Sequence, residues 1–228
     1  MDQKIIWDHF QNNDETGDVF INAIPRYEFI AQQIASGMSV LNIGVGRGGL
    51  EKILLKKGAM VSCLDPSENA IDRLRNQYKL GERAQVGFSQ SIPFPGSQFD
   101  VVVMSEVLEH LTDEVLNSTL VEVRRVLKPD GYFIGTVPAN EKLLDNRTVC
   151  PHCGESFHRW GHVQSFSPMR LRELLLANNF VVHRSETRAF PDWRRSGWKN
   201  LIKSLIKYVL GRVGSPIASP NIYFEAKR

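Results

Sequence analysis

Cysteine is scarce in this chain of 228 residues, with only Cys63, Cys150 and Cys153. An odd number rules out a complete disulfide framework, and the two-residue gap between Cys150 and Cys153 is the spacing of metal ligands or a redox pair. Long apolar runs are also absent. Nothing approaches the roughly 20 residues needed to span a bilayer, and Met1-Asp2-Gln3-Lys4 lacks the basic start and apolar core of a signal peptide. The expectation is a cytoplasmic protein. Net charge is small, at +3, and by itself does not imply nucleic acid. Internal repeats and low-complexity tracts are missing, whereas one stretch, Trp193 to Phe224, is missing acids altogether.

What is present is ordinary globular composition, 42% hydrophobic and 23% charged, sufficient for one sizeable core. The expected organisation is a single domain over 1–228 with an N-terminal arm at 1–20 and insertions at 139–166 and 190–220. Apolar residues at Ile21, Ile24, Tyr27, Ile30 and Ile34 predict a helix packed on a sheet. Strands are expected at 39–43, 60–64, 84–88, 99–104, 132–137, 181–188 and 221–226. Helices are expected from Leu50 to Lys57, from Pro66-Ser67 to Tyr78, over 113–126 and over 168–178. Such alternation means an α/β fold with a mostly parallel sheet covered on both faces.

The stretch Val40-Leu41-Asn42-Ile43-Gly44-Val45-Gly46-Arg47-Gly48 runs from an apolar strand through a glycine turn into a helix. Glycines let the backbone approach a ligand, and the helix start offers unpaired N–H groups and a positive dipole end. Asp65 ends the next strand about 20 residues on, where a carboxylate can accept both ribose hydroxyls of an adenosine. Dinucleotides and S-adenosylmethionine both use this arrangement.

Further motifs follow: Asp65-Pro66-Ser67, Ile92-Pro93-Phe94-Pro95-Gly96-Ser97-Gln98-Phe99-Asp100, Glu106-Val107-Leu108-Glu109-His110-Leu111 and Leu127-Lys128-Pro129-Asp130-Gly131-Tyr132. In this order, over residues 39 to 138, the sequence resembles the class I S-adenosylmethionine-dependent methyltransferases, especially the branch with the ubiquinone-biosynthesis O-methyltransferases. The resemblance implies a Rossmann-like sheet of seven strands, mostly parallel, with an antiparallel last strand at 221–226. It implies S-adenosylmethionine as cofactor, held by Asn42, Gly44, Gly46, Asp65 and Pro66, with Ser89, Gln90 and Ser91 flanking the adenine and Ser105 and Glu106 at the sulfonium end. One position departs, since Asn42 stands where the family usually has Asp or Glu.

Glu106, Glu109 and His110 form Glu-x-x-Glu-His after the fourth strand. The pattern resembles the metal-binding stretch of small-RNA 2′-O-methyltransferases, but it also occurs in methyltransferases without a metal, where His110 packs near the acceptor. His110 is the first candidate for a catalytic base, because an unperturbed imidazole titrates near neutral pH. Glu109 and His162 complete the catalytic candidates. In the insertion, Cys150 and Cys153 followed by His158 and His162 supply four ligands for a tetrahedral structural zinc, although only four residues separate the pairs. The alternative is a loop with reduced cysteines and one histidine serving the active site.

Between Trp193 and Arg212, the residues Trp198, Leu201, Ile202, Leu205, Ile206 and Val209 form an apolar stripe, with Lys199, Lys203 and Lys207 at four-residue steps. That pattern suits a helix in a membrane interface, or one packed on the sheet or on a second subunit. The expected activity is O-methylation of a small molecule or a glycan or lipid-linked precursor. RNA 2′-O-methylation ranks second, because the basic residues cluster on one helix and not along a groove of basic and aromatic residues. A non-catalytic S-adenosylmethionine-binding or zinc interaction protein is the reading from a different class. Oligomeric state is not legible.

Overall fold

A computed structural model describes residues 21–194, 197–212 and 214–228; the arm expected at 1–20 lies outside them. A short 3-10 turn at Ile21–Ala23 leads into α1 (Ile24–Gln32), where Pro25 sits in the first turn, a position that needs no N–H. Next come β1 (Ser39–Ile43), α2 (Gly49–Lys56), β2 (Met60–Asp65) and α3 (Glu68–Tyr78). Ser67 caps α3 by accepting from Ala70 N at 3.4 Å. The chain continues with β3 (Ala84–Val86), β4 (Phe99–Ser105), α4 (Asp113–Val126) and β5 (Leu127–Pro138). The third strand is shorter than its sequence suggests, and Gly87 and Phe88 already belong to the loop beyond it.

Among the described residues, seven strands form one sheet in the order β3-β2-β1-β4-β5-β9-β8, where β8 is Val181–Arg188 and β9 is Asn221–Lys227. Strands β1 to β5 pair in parallel, and β9 runs antiparallel to both of its neighbours. Successive residues of a strand face opposite sides. Thus Val101 and Val103 join the cluster under α1, α2 and α3, whereas Val102 and Met104 join the one under α4 and α5 (Pro168–Ala177).

The insertion at 139–166 folds as a small antiparallel hairpin, β6 (Arg147–Val149) with β7 (Ser156–His158), and returns to the sheet where Ala139 bridges Phe166. The second insertion forms α6 (Trp198–Arg212), which turns Ser204 and Gly211 to the protein and leaves its apolar stripe outside. No helix among the described residues is long and apolar enough to cross a membrane.

Candidate active site

The glycine turn closes on the carboxyl ends of β1 and β2. Gly44 sits at φ +82°, and a Cβ there would come within 2.5 Å of Val107 Cγ2. Only glycine meets both demands. Asp65 draws the turn together: its Oδ2 accepts from Val45 N and its Oδ1 from Ser67 N, both at 2.9 Å. Gly46 and Pro66 lie in the same two loops, and Arg73 reaches over to donate to Gly46 O at 2.8 Å. Asn42 behaves otherwise. Its side chain is buried beneath the turn and donates to Glu51 Oε1 at 2.6 Å, so it faces α2 and not the rim. Burial pushes the Glu51 carboxyl up to about 7.

Past β3, Ser89 points its hydroxyl into the protein, 2.8 Å from Thr119 Oγ1 on α4, which removes it from the adenine contacts expected of it. Gln90 and Ser91 remain exposed at the rim. Past β4, Ser105 Oγ lies 2.9 Å from Thr136 Oγ1, and Glu106 adopts φ +59°. The Glu106 carboxylate accepts from Thr136 Oγ1 and Asn221 Nδ2, both at 2.8 Å, with Arg26 at 3.7 Å. With these partners it joins no ligand cluster with Glu109 and His110 among the described residues, although its charge still acts on the Glu109 carboxyl.

The expected catalytic residues do meet. A 3-10 turn at Leu108–His110 buries Glu109, and the insertion is laced onto it, since Val163 N and Gln164 N both donate to Glu109 O. One oxygen or nitrogen from each of Glu109, His110 and His162 lies within 4.8 Å of the others. The Glu109 carboxylate is 1% exposed, and neither oxygen has a hydrogen-bond partner among the described residues. Burial pushes its carboxyl well above the usual range.

Ring chemistry sorts the histidines. A carbonyl only accepts, so His110 Nδ1–H donates to Gly161 O at 3.2 Å, and the Nε2 lone pair faces Glu109 at 4.0 Å. Burial holds this imidazole down to about 3, which corrects the expectation of a base titrating near neutrality. His162 meets Glu141 through Nδ1. Although burial opposes it, the hydrogen bond from His162 keeps the Glu141 carboxyl below its ordinary value, so Nδ1 carries the proton and Nε2 is the free donor atom. His158 is arranged the opposite way. Its Nδ1 accepts from Trp160 N and His162 N at 3.3 and 3.1 Å, which leaves Nε2–H towards Glu141 Oε1 at 3.4 Å.

Among the described residues, no group of three or more ligand-type side chains brings Cys150 and Cys153 together with His158 and His162. Cys150 and Cys153 occupy the tip of the β6–β7 hairpin, whereas His158 pairs with Arg147 at its base.

Beside Glu106 opens a cavity of about 610 Å³ whose walls include Arg26, Asn140, Glu141, Asn146, Lys207 and Asn221. The lining consists mostly of amide and charged side chains.

The profile described as a methyltransferase domain matches residues 18–185. The chain belongs to the methyltransferase family. It is of the class I, S-adenosylmethionine-dependent type that its motifs resemble. A ubiquinone biosynthesis O-methyltransferase of Coxiella burnetii is 33% identical over 122 residues, 51% of each protein. An uncharacterized methyltransferase of a Geobacillus species is 34% identical over 120 residues, 51% of this chain and 54% of the relative. The chain thus spans about half the length of the curated relatives it matches. Among solved structures, the 1,6-didemethyltoxoflavin-N1-methyltransferase of Burkholderia thailandensis superposes with a TM-score of 0.65 at 18% identity, covering 99% of this chain and 86% of that one. These neighbours speak for the fold.

Two features of this methyltransferase escaped the sequence reading. Glu141 is a single acid in an aperiodic loop, and nothing nearby marks it as the partner of His158 and His162. Phe88, 55% exposed at the rim beyond β3, had a detectable signal, an aromatic residue just after a strand end where ligands gather.

Proposed function

We propose that this methyltransferase methylates an oxygen of a polar small molecule or glycan precursor, with a divalent cation held by Glu109, His110 and His162. The observation that carries it is the Glu109 carboxylate, buried with no hydrogen-bond partner among the described residues and with a ring nitrogen of His110 and one of His162 within 4.8 Å. A cation supplies the charge this carboxylate lacks, and a neutral histidine whose other nitrogen is hydrogen-bonded is the usual form of a metal-binding imidazole. The cation would polarise the acceptor hydroxyl and lower its pKa.

Bound S-adenosylmethionine supplies a methyl group on a sulfonium that is already a good leaving group. The glycine turn fits that role, because Gly44 leaves no space for a side chain and Asp65 fixes the turn's backbone. Gly46, Pro66, Gln90, Ser91, Phe88 and Ser105 complete the proposed donor side. Arg26, Glu106 and Asn221 would orient the acceptor in the polar cavity, which is the larger part of what an enzyme contributes to an in-line displacement. The similarity to an O-methyltransferase supports oxygen as the methylated atom.

One observation favours a second reading. The His162–Glu141 contact makes a dyad whose Nε2 could take the acceptor proton without a metal. Metal analysis of the purified protein, with methyl transfer to candidate hydroxyl acceptors before and after chelation, separates the two. The first reading expects bound metal and activity lost on chelation and restored by Mg²⁺, Mn²⁺ or Zn²⁺. Full activity in metal-free protein would replace it with the dyad.

A further inference from the structure

Amphipathic helices of folded proteins normally turn their apolar side to the core, but α6 is mounted the other way round. Ser204 and Gly211 are its buried residues. Ser204 Oγ donates to Asp192 O at 3.0 Å, and at Gly211 the helix comes so close that a Cβ would lie 2.3 Å from Ala189 Cβ. At 100° per residue the opposite pole is Ile202, Ile206 and Val209, which are 47%, 52% and 52% exposed. Trp198 and Leu205 extend that pole on one flank, and Lys199 and Lys203 line the other.

We propose that α6 docks the protein on an anionic lipid surface, lying in the headgroup plane with Ile202, Ile206 and Val209 inserted. Charge complementarity selects this occupant. No acidic residue lies between Trp193 and Phe224, so the flanking lysines face outward without acids from their own segment and are attracted by a negatively charged bilayer. Fifteen residues make a helix about 22 Å long, which suits lying in an interface and is too short to cross one. A second copy is a poorer occupant. A two-fold contact through this face would bring the Lys199 and Lys203 pairs of both copies together.

The position of α6 gives docking a use. Lys207 lies in the wall of the 610 Å³ cavity and also lines a smaller one of 210 Å³ along the helix, shared with Asn22 and Phe190. Docking therefore brings the polar cavity against the headgroup layer, where a lipid-linked polar acceptor would present its hydroxyls. The docking itself needs neither donor nor acceptor.

The test is co-sedimentation of the full chain with phosphatidylcholine vesicles, with and without phosphatidylglycerol, at low ionic strength and without S-adenosylmethionine. Binding to the anionic vesicles is expected to exceed that to the neutral ones about tenfold or more. The double variant Ile202→Glu/Ile206→Glu is expected to lose it with an unchanged thermal midpoint, since both side chains are exposed. Lys199→Glu/Lys203→Glu is expected to lose the preference for anionic lipid, and Trp198 emission to shift blue only when anionic vesicles are added. No binding of the wild type to anionic vesicles overturns the proposal, as does undiminished binding of the Ile202→Glu/Ile206→Glu variant. A dimer in sedimentation velocity that this variant splits also overturns it, because the face would then be a subunit interface.

Discussion

Glu141 and His162, 21 residues apart in the insertion, meet through one carboxylate oxygen and Nδ1. The same carboxylate faces His158 Nε2 across 3.4 Å and accepts from Asn146 Nδ2 at 2.9 Å. Glu141 thereby fixes the tautomer and orientation of His162, whose ring packs beside that of His110 with centroids 4.7 Å apart.

A carboxylate that orients a metal-binding histidine typically contributes 10- to 100-fold to metal affinity. Glu141→Gln keeps an acceptor for Nδ1–H but removes the charge. It is expected to weaken Mn²⁺ or Zn²⁺ binding by about that factor in calorimetric titration and to leave S-adenosylmethionine affinity within about twofold. Equal loss of both ligands would mean that the insertion collapses, not that Glu141 acts through His162.

The cysteines should be dispensable for that metal. Cys150→Ser/Cys153→Ser changes only the tip of the β6–β7 hairpin, so metal content and donor binding are expected to match wild type. Loss of metal in this variant would restore the four-ligand arrangement that the spacing of Cys150, Cys153, His158 and His162 suggests.

That contrast shows which parts of the site could be read in advance. Strand β1 and the strand ending at Asp65 were legible because buried parallel strands are short apolar runs between turn residues. Glu109, His110 and His162 were legible as candidates, but the backbone bonds from Val163 and Gln164 that join them across more than 50 residues leave no pattern of residue types. Cys-x2-Cys with His-x3-His misled because a hairpin converts nearness in sequence into separation along a strand. Helix α6 was legible as an amphipathic helix, but the direction its stripe faces is decided by Ser204 and Gly211, two small residues that periodicity ignores.

The glycine turn meets the turn that carries Glu109 and His110 where Val107 fills the place a Gly44 side chain would take. Gly44→Ala adds a Cβ against Val107 and holds alanine at positive φ, a cost of about 1–2 kcal/mol for the backbone alone. Calorimetry is expected to show S-adenosylmethionine affinity reduced about tenfold or more, in proportion to that cost. Gly44→Ala/Val107→Ala should recover part of the loss, since it relieves the clash and not the backbone strain. If the single variant binds the donor as wild type does, this turn is not the donor site.

Glu51 links the donor turn to pH. Desolvation raises its carboxyl from 4.5 to about 7 in the native state, even though Asn42 Nδ2 at 2.6 Å and Cys63 Sγ at 3.7 Å approach the same oxygen. Between those two values the folded protein keeps a proton that the unfolded chain releases. Stability therefore falls as pH rises through the window from about 4.5 to about 7 and then stays low, by about 3 kcal/mol in all. Glu51→Gln keeps an oxygen for the two donors, places an amide N–H where the proton sat, and carries no charge to desolvate. Its thermal midpoint should equal that of wild type near pH 4.5 and exceed it by about 5–10 °C at pH 8, given about 2–4 °C per kcal/mol for a chain of this size. A variant whose advantage is the same at both pH values would show that Glu51 is already ionised in the folded protein at acid pH, its carboxylate stabilised by the hydrogen bond from Asn42.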